Sequence, residues 1–276
     1  PNARKILERT THQDVSGAAL PFMACGAFDI GMGDAVTAWG FGPSPADLDD
    51  IRAARRRLRR PAHEVLELDC ERGRARTDAP MQFDLNGIAK GYGVDRMTDA
   101  IRAFGLEGAL LAIDGELRAL GRQPDGSPWI VAVEAPDYQQ RAVHSVLELT
   151  NLAVATSGDY RHWVQIGDRR LGHTINPKSG MPLAAPPASV TVLAKDCMHA
   201  DAWATAMMVL GEAQGLALAG MIGLSVLFLG HGSAKGIGSG CFAAGSTPHP
   251  GREDSQEANG ACPQDDDIRR VLMASV

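Results

Sequence analysis

The stretch from Asp84 to Asp95, DLNGIAKGYGVD, constrains this chain more than any other. It follows a short apolar segment and opens a helix, yet it carries glycine at positions 87, 91 and 93. A glycine inside a helix costs about 1 kcal/mol relative to alanine. Three in one helix imply that something approaches the backbone closely. Lys90 and two carboxylates share the stretch, and the open N–H groups of a helix N-terminus attract anions. The bland alternative is a tight strand-to-helix turn with a surface lysine. Lys90 precedes a glycine and no GK[ST] occurs, so this is not a P-loop. Neither IGMGDAV from Ile30 nor GIGSG from Gly236 fits the GxGxxG dinucleotide fingerprint.

Bulk properties narrow the classes further. At 276 residues the chain can hold one large domain or two small ones. A net charge of -6 argues against a nucleic-acid binder, which presents a basic face. The five cysteines are odd in number and form no CxxC, so neither a disulfide framework nor a structural zinc site is expected. The uncharged run from Ala213 to Gly230 contains four glycines and reads as a helix end followed by a buried strand, not as a membrane span.

Along the chain, a short helix is expected near Ala3–Arg9. The glycine-rich run from Cys25 to Pro43 carries Phe28, Ile30, Trp39 and Phe41, and so reads as an ordered loop leading into a short helix. Asp29, between Phe28 and Ile30, is either a cap or a ligand contact. Ser44-Pro45 has the form of a helix start, and arginines crowd the end of that helix as a solvated cationic face or an anion patch. Strands are expected at Glu64–Asp69, Met81–Leu85, Ala109–Ile113, Glu116–Leu120, Trp129–Val133, Val143–Leu149, Leu152–Ala155 and Ala188–Ala194. The central helix is expected to run to Phe104 and stop at Gly105. Thr156 and Ser157 stand where a helix should begin, as a cap or as a hydroxyl pocket. His173 lies beside a proline- and glycine-fixed turn. Asp201 and Thr205, four apart, share a helix face and could hold a hard cation such as Mg²⁺; Thr205 bonding back to its own helix is the alternative. After Phe242 the chain turns polar and acidic, giving an expected disordered tail over 244–276. The uneven alternation of strands and helices favours α+β over a doubly wound sheet.

Five stretches, in this order, together resemble the ApbE-type flavin transferases, or FAD:protein FMN transferases. They are GAFDIGMGDAVTAWGFG at Gly26, DLNGIAKGYGVD at Asp84, ATSGDYRHW at Ala155, HTINPKSGMP at His173 and HADAWATAMMVLG at His199. The resemblance covers about Ala19 to Ala243, and the family domain is placed over 1–243. It implies a two-lobed α+β fold of mixed or antiparallel sheets and packed helices, with FAD in the cleft between lobes. It also implies Mg²⁺-dependent transfer of FMN from FAD to a threonine of an acceptor protein, with release of AMP. Residue by residue, Ala27, Phe28, Asp29, Asp84, Lys90 and Ile175 match the family's FAD contacts, and Thr156, Ser157 and His173 are counted with them as cofactor-binding candidates. The Gly87 carbonyl, Asp201 and Thr205 match its metal ligands. His173 matches the histidine that assists transfer, with Asp201 as the other candidate base. Two departures stand out: Asp114-Gly115-Glu116 replaces the usual Gly-Gly-Asp, and Asn176 replaces an aspartate. The family's N-terminal segment has no counterpart before Pro1. The alternatives are an FAD pyrophosphatase and a non-catalytic FAD-binding protein. The expected setting is bacterial and periplasmic or associated with the inner membrane, with the cytoplasm as the alternative because no leader is seen.

Overall fold

The computed structural model describes residues 26–69, 71–137, 142–159, 163–166, 169–230 and 233–237. The expected helix at Ala3–Arg9 and the tail over 244–276 lie outside these residues. A 3₁₀ turn at Ile30–Met32 runs into α1 (Gly33–Ala38), followed by α2 (Leu48–Arg56), α3 (Ala62–Val65), β1 (Leu66–Asp69) and β2 (Arg74–Thr77). The long helix α4 (Asn86–Ala103) comes next, then β3 (Ala109–Ile113), β4 (Glu116–Leu120), β5 (Trp129–Glu134), β6 (Val143–Leu149) and β7 (Ala153–Gly158). Short ladders follow at β8 (Trp163–Ile166) with β9 (Arg169–Gly172), and β10 (Ile175–Asn176) with β11 (Met181–Pro182). The described chain closes with β12 (Ser189–Ala194), α5 (Cys197–Ile222), β13 (Ser225–Gly230) and β14 (Ser233–Ile237).

The centre is a six-stranded antiparallel sheet in the order β14-β13-β12-β7-β4-β3. Alternation along each strand decides what each face buries. Ala153, Ala155, Val190, Val192, Val226 and Phe228 face α4 and α5 in the main core. Val154, Leu193, Leu227 and Leu229 point the other way, against the β5–β6 hairpin with its buried Val131, Val133, Leu147 and Leu149. Leu147 and Leu149 are fully buried, each contributing about 1.5–3 kcal/mol of hydrophobic stabilisation. A third, smaller cluster joins α1 and α2 to Ile175 through Met32, Trp39 and Ile51. The Trp39 indole Nε1 donates to the Gly180 carbonyl at 2.8 Å, tying α1 to the turn after β10. The antiparallel sheet with helices on one face is the α+β arrangement expected.

Several local expectations are corrected. The α2 cap is Asp47, not Ser44: its carboxylate accepts from the N–H groups of Asp49 and Asp50 at 2.9 and 3.0 Å. The helix stops at Arg56, and Arg57 and Arg59 turn back to Asp34 at 3.3 and 2.8 Å. Ala62–Val65 is a helical turn, so only Leu66–Asp69 forms the strand. Met81–Leu85 is not a strand; single hydrogen bonds from Gly33 N to Gln82 O and from Asp84 N to Ile30 O tie it to the N-terminal segment. No helix begins at Thr156, because β7 runs on to Gly158 and pairs with β12 along its whole length.

Among the described residues, α5 is the helix long and apolar enough to cross a membrane by length and composition. Its buried Met198, Ala202, Trp203 and Met207 belong instead to the main core. Gly211, at φ 73°, breaks the helix midway, and Gly223, at φ 69°, ends it before β13. Ala213–Gly230 is thus a helix end and a buried strand, as expected. Asp114 (φ 47°) and Gly115 (φ 98°) make the two-residue β3–β4 turn, whose positive φ values suit the twist of a hairpin.

Candidate active site

The glycines of α4 are explained by what lies against them. A Cβ at Gly91 would collide with the Cys197 carbonyl and lie 2.8 Å from the Met198 Cα, so the first turn of α5 rests on bare α4 backbone. A Cβ at Gly87 would lie 3.0 Å from both Thr205 Oγ1 and Phe28 Cε2. At Gly93 the neighbour is the Ile113 side chain. The close approach inferred from the sequence is therefore made by the protein itself. It brings the Asp84–Lys90 segment and the Asp201–Thr205 turn into one place.

Asp95, fully buried, holds that crossing. Its Oδ1 accepts from Cys197 N at 2.9 Å and its Oδ2 from Met198 N at 3.0 Å, while Arg118 pairs with it from β4. A carboxylate on α4 thus caps α5 at the terminus that attracts negative charge. One turn further on, Asp201 Oδ2 accepts from Gly91 N at 3.1 Å. In an undisturbed helix that N–H would bond to the Gly87 carbonyl. Asp201 thus reaches the α4 backbone at the N–H that faces the Gly87 carbonyl along the helix.

Four charges surround this point. Lys90 Nζ lies 2.9 Å from Glu116 Oε1 and 3.8 Å from Asp114 Oδ2. Glu116 and Asp201 are 2% and 4% exposed. Burial, with the nearby Asp201 charge adding to it, pushes the Glu116 carboxyl up to about 7 against the pull of Lys90. Burial pushes Asp201 up to about 6, against the Gly91 N–H and Lys90. For Lys90 burial works downward, but the hydrogen bond and charge of Glu116 outweigh it and raise its pKa. Lys90 is the cation of the cluster, and two buried carboxylates exceed what one ammonium can neutralise. Among the described residues, Glu116 Oε2 is buried without a hydrogen-bond partner. Ser157 and Thr205 hydroxyls stand 3.4 Å apart at the same crossing.

The residues singled out from the sequence separate into groups. Gly87, Lys90, Ser157, Asp201, Thr205 and the buried Phe28 come together. Asp84 stands at the start of α4, its side chain taken by Asn86 N at 3.0 Å and its carboxyl raised by burial. Asp29 caps the 3₁₀ turn, accepting from Gly31 N at 2.7 Å and Ala62 N at 3.2 Å, and burial raises its pKa. The capping role read for Asp29 is thus present in the structure. Ala27 is buried in the main core. Thr156 is turned away: it shares the face of Val154 and meets Thr191 Oγ1 at 2.8 Å. Its hydroxyl therefore lies across the sheet from Asp201 and does not join the cluster, because strand geometry sends alternate side chains to opposite faces. Ile175 packs in the α1–α2 cluster, and His173 stands edge-on to Phe41 with ring centroids 6.4 Å apart. Two cavities open beside Asp34, Arg57 and Gln82, on the α1–α2 side.

Glu116 was not among the residues singled out for the site. Its signal was a carboxylate opening the otherwise apolar β4 directly after the Asp114-Gly115 turn.

The donors at the crossing are hard oxygens: two carboxylates, two hydroxyls and a carbonyl. Among the described residues no group of three or more His, Cys, Asp or Glu side chains is assembled for a metal. The set suits Mg²⁺, which keeps much of its shell for water and phosphate oxygens. It does not suit a cation that demands sulfur or imidazole.

An antiparallel α+β core whose two long helices cross over an oxygen-lined, carboxylate-rich point defines the class of protein. The ApbE family model matches residues 21–228, and the chain belongs to the ApbE family. It is 39% identical over 211 residues to an FAD:protein FMN transferase of Vibrio cholerae, covering 74% of this chain and 61% of that protein. It is 35% identical over 210 residues to the protein of that name in Haemophilus influenzae, with the same coverage of 74% and 61%. The apo flavinyl transferase ApbE of Pseudomonas stutzeri superposes with a TM-score of 0.71 at 35% identity, over 89% of this chain and 76% of that one. The flavin transferase ApbE of Vibrio cholerae gives 0.68 at 35% identity, over 83% and 74%. The chain spans about 61% of the length of these curated relatives.

Proposed function

We propose that this chain carries the transfer site of an Mg²⁺-dependent FAD:protein FMN transferase. The observation that carries the proposal is the α4–α5 crossing, where Gly87 adjoins Thr205 and the Gly91 N–H is bonded to Asp201. The names of the relatives supply the reaction class. Asp201, Thr205 and the Gly87 carbonyl would hold Mg²⁺, which when bound neutralises diphosphate oxygens and polarises the phosphorus. Lys90 is the point charge for the FAD diphosphate, and Glu116 keeps it from swinging into solvent.

In the reaction, the threonine oxygen of the acceptor attacks the phosphorus on the FMN side of FAD. The bond from that phosphorus to the bridging oxygen breaks, and AMP leaves with the oxygen. The hydroxyl proton passes to His173, whose help as a base is worth about 10²–10⁴-fold. Most of the remaining acceleration is positioning and charge neutralisation. Action at the bacterial envelope belongs to the same proposal and is tested by fractionating the native host.

The deciding experiment incubates the protein with FAD, Mg²⁺ and candidate threonine-bearing acceptors. Flavin fluorescence that stays with the acceptor on a denaturing gel is the expected result. AMP release with no labelled acceptor would replace transfer by FAD hydrolysis. FAD binding with neither product would reduce the chain to a binding protein.

A further inference from the structure

We propose that Glu116 is an additional cation-facing carboxylate of the α4–α5 crossing, using Oε1 to fix Lys90 and Oε2 to meet the divalent cation or a water bound to it. The inference rests on the reading that this crossing holds such a cation. It adds a residue to the three oxygen ligands that the family resemblance implies.

Three observations carry it. Glu116 is 2% exposed, and an ionised carboxylate that deep is costly unless both oxygens are satisfied. Only one of them is: Oε1 holds Lys90 Nζ at 2.9 Å, while Oε2 is buried without a partner among the described residues. Lys90 precedes Gly91, whose N–H holds Asp201, so consecutive residues of α4 anchor the two acids. The unmet acceptor and the excess negative charge therefore sit together. A divalent ion answers both at once, since hard cations draw carboxylate oxygens and their bound waters donate to further ones.

Position in the fold supports the assignment. Glu116 is the first residue of β4, directly after the Asp114-Gly115 turn, so its backbone is set by the β3–β4 ladder. Asp114, on the same turn, also reaches toward Lys90, but its side chain is 76% exposed and 3.8 Å away. Asp114 therefore serves as the internal control: same turn, same charge, no burial.

The test uses the full chain and Mn²⁺ alone, without FAD, followed by the loss of the free-ion paramagnetic resonance signal. Wild type, Glu116→Gln and Asp114→Asn are titrated, and the metal-free melting temperature of each is recorded. The expected result is that E116Q weakens Mn²⁺ binding by roughly 10–100-fold, the range for residues supporting a metal site. D114N should stay close to wild type. The metal-free E116Q protein should melt no lower than wild type, since the change removes a buried, half-satisfied charge and keeps an acceptor for Lys90. Equal Mn²⁺ affinity in wild type and E116Q overturns the role of Glu116 and leaves the transferase reading standing. No Mn²⁺ binding by wild type overturns both. An E116Q protein that fails to fold, or melts well below wild type, assigns Glu116 a structural role instead and also overturns the inference.

Discussion

Replacing Gly91 by alanine gives a test in which two effects have opposite signs. Helix propensity alone makes the substitution stabilising by about 1 kcal/mol. The contact at the crossing opposes it. The new Cβ would fall on the Cys197 carbonyl, 2.7 Å from its carbon and 2.8 Å from the Met198 Cα, all backbone atoms that cannot rotate aside. Restoring an ordinary carbon contact of about 3.5 Å requires α4 and α5 to part by most of an ångström. Overpacking of this kind costs about 1–3 kcal/mol. The shift would also stretch the bond from Gly91 N to Asp201 Oδ2, now 3.1 Å. A hydrogen bond to a charged group is worth about 1.5–3 kcal/mol. After the propensity gain, the net loss is about 1.5–5 kcal/mol. At about 2–4 °C per kcal/mol for a chain of this size, the melting temperature should fall by roughly 3–20 °C. Gly93→Ala in the same helix is the companion: its Cβ would meet only the tip of Ile113 at 2.8 Å, a side chain that can rotate. It should be within about 1 kcal/mol of neutral. Urea denaturation of both variants decides the matter. A G91A protein as stable as wild type would mean that α4 and α5 do not touch backbone to backbone, and the site would lose its frame.

Other consequences follow from the same contacts. Asp95→Ala removes the acceptors of Cys197 N and Met198 N from the first turn of α5, where Asp196 still caps His199 N, and takes the carboxylate partner from the partly buried Arg118, which should cost about 3–5 kcal/mol in denaturant unfolding. Metal-free stability should depend on pH with a definite sign. Glu116 and Asp201 titrate near 7 and 6 when folded, above their ordinary values, so the folded state binds more protons over that range. Stability should therefore fall as pH rises from about 4 to 7 and then level off. Melting curves across that range check this, and Mg²⁺ should raise the melting temperature more at pH 8 than at pH 5. Lys90→Met should weaken FAD binding, read by flavin fluorescence, while Asp114→Asn should not. Trp39→Phe, which loses the 2.8 Å bond to the Gly180 carbonyl, should cost about 1 kcal/mol.

Much of this was legible in the residues. The helix Asn86–Ala103, its stop at Gly105, the Asp114-Gly115 hairpin and the apolar strands all declared themselves by periodicity and turn chemistry. So did the need for close approach at the α4 glycines, although composition could not say that the approaching group would be α5. The pairing of Asp201 with Thr205 came from helical spacing, a local rule. Glu116 and Asp95 were harder, because their partners lie far away in sequence: Glu116 reaches back to Lys90, and Asp95 reaches Cys197 and Met198. A carboxylate at the start of a strand looks like any turn residue until the tertiary contact is seen. Thr156 was misassigned for a related reason. Reading the start of a helix after Ala155 hid the strand alternation that sends Ser157 toward Thr205 and Thr156 toward Thr191. The β2 strand carries no apolar pattern because all of its residues are exposed. The helical turn at Ala62–Val65 was hidden in the sequence by the adjoining strand Leu66–Asp69, whose composition is similar.

The central claim is that the Gly87–Lys90 turn and the Asp201–Thr205 turn together hold a hard divalent ion beside the diphosphate of FAD. Crystals grown with FAD and Mn²⁺, and measured at the manganese absorption edge, address it directly. The expected result is an anomalous peak about 2.0–2.3 Å from the Asp201 carboxylate and the Thr205 hydroxyl, with phosphate density between it and Lys90. A peak beside Asp34 and the Arg57–Gln82 cavities instead, with the α4–α5 crossing bare, would contradict it.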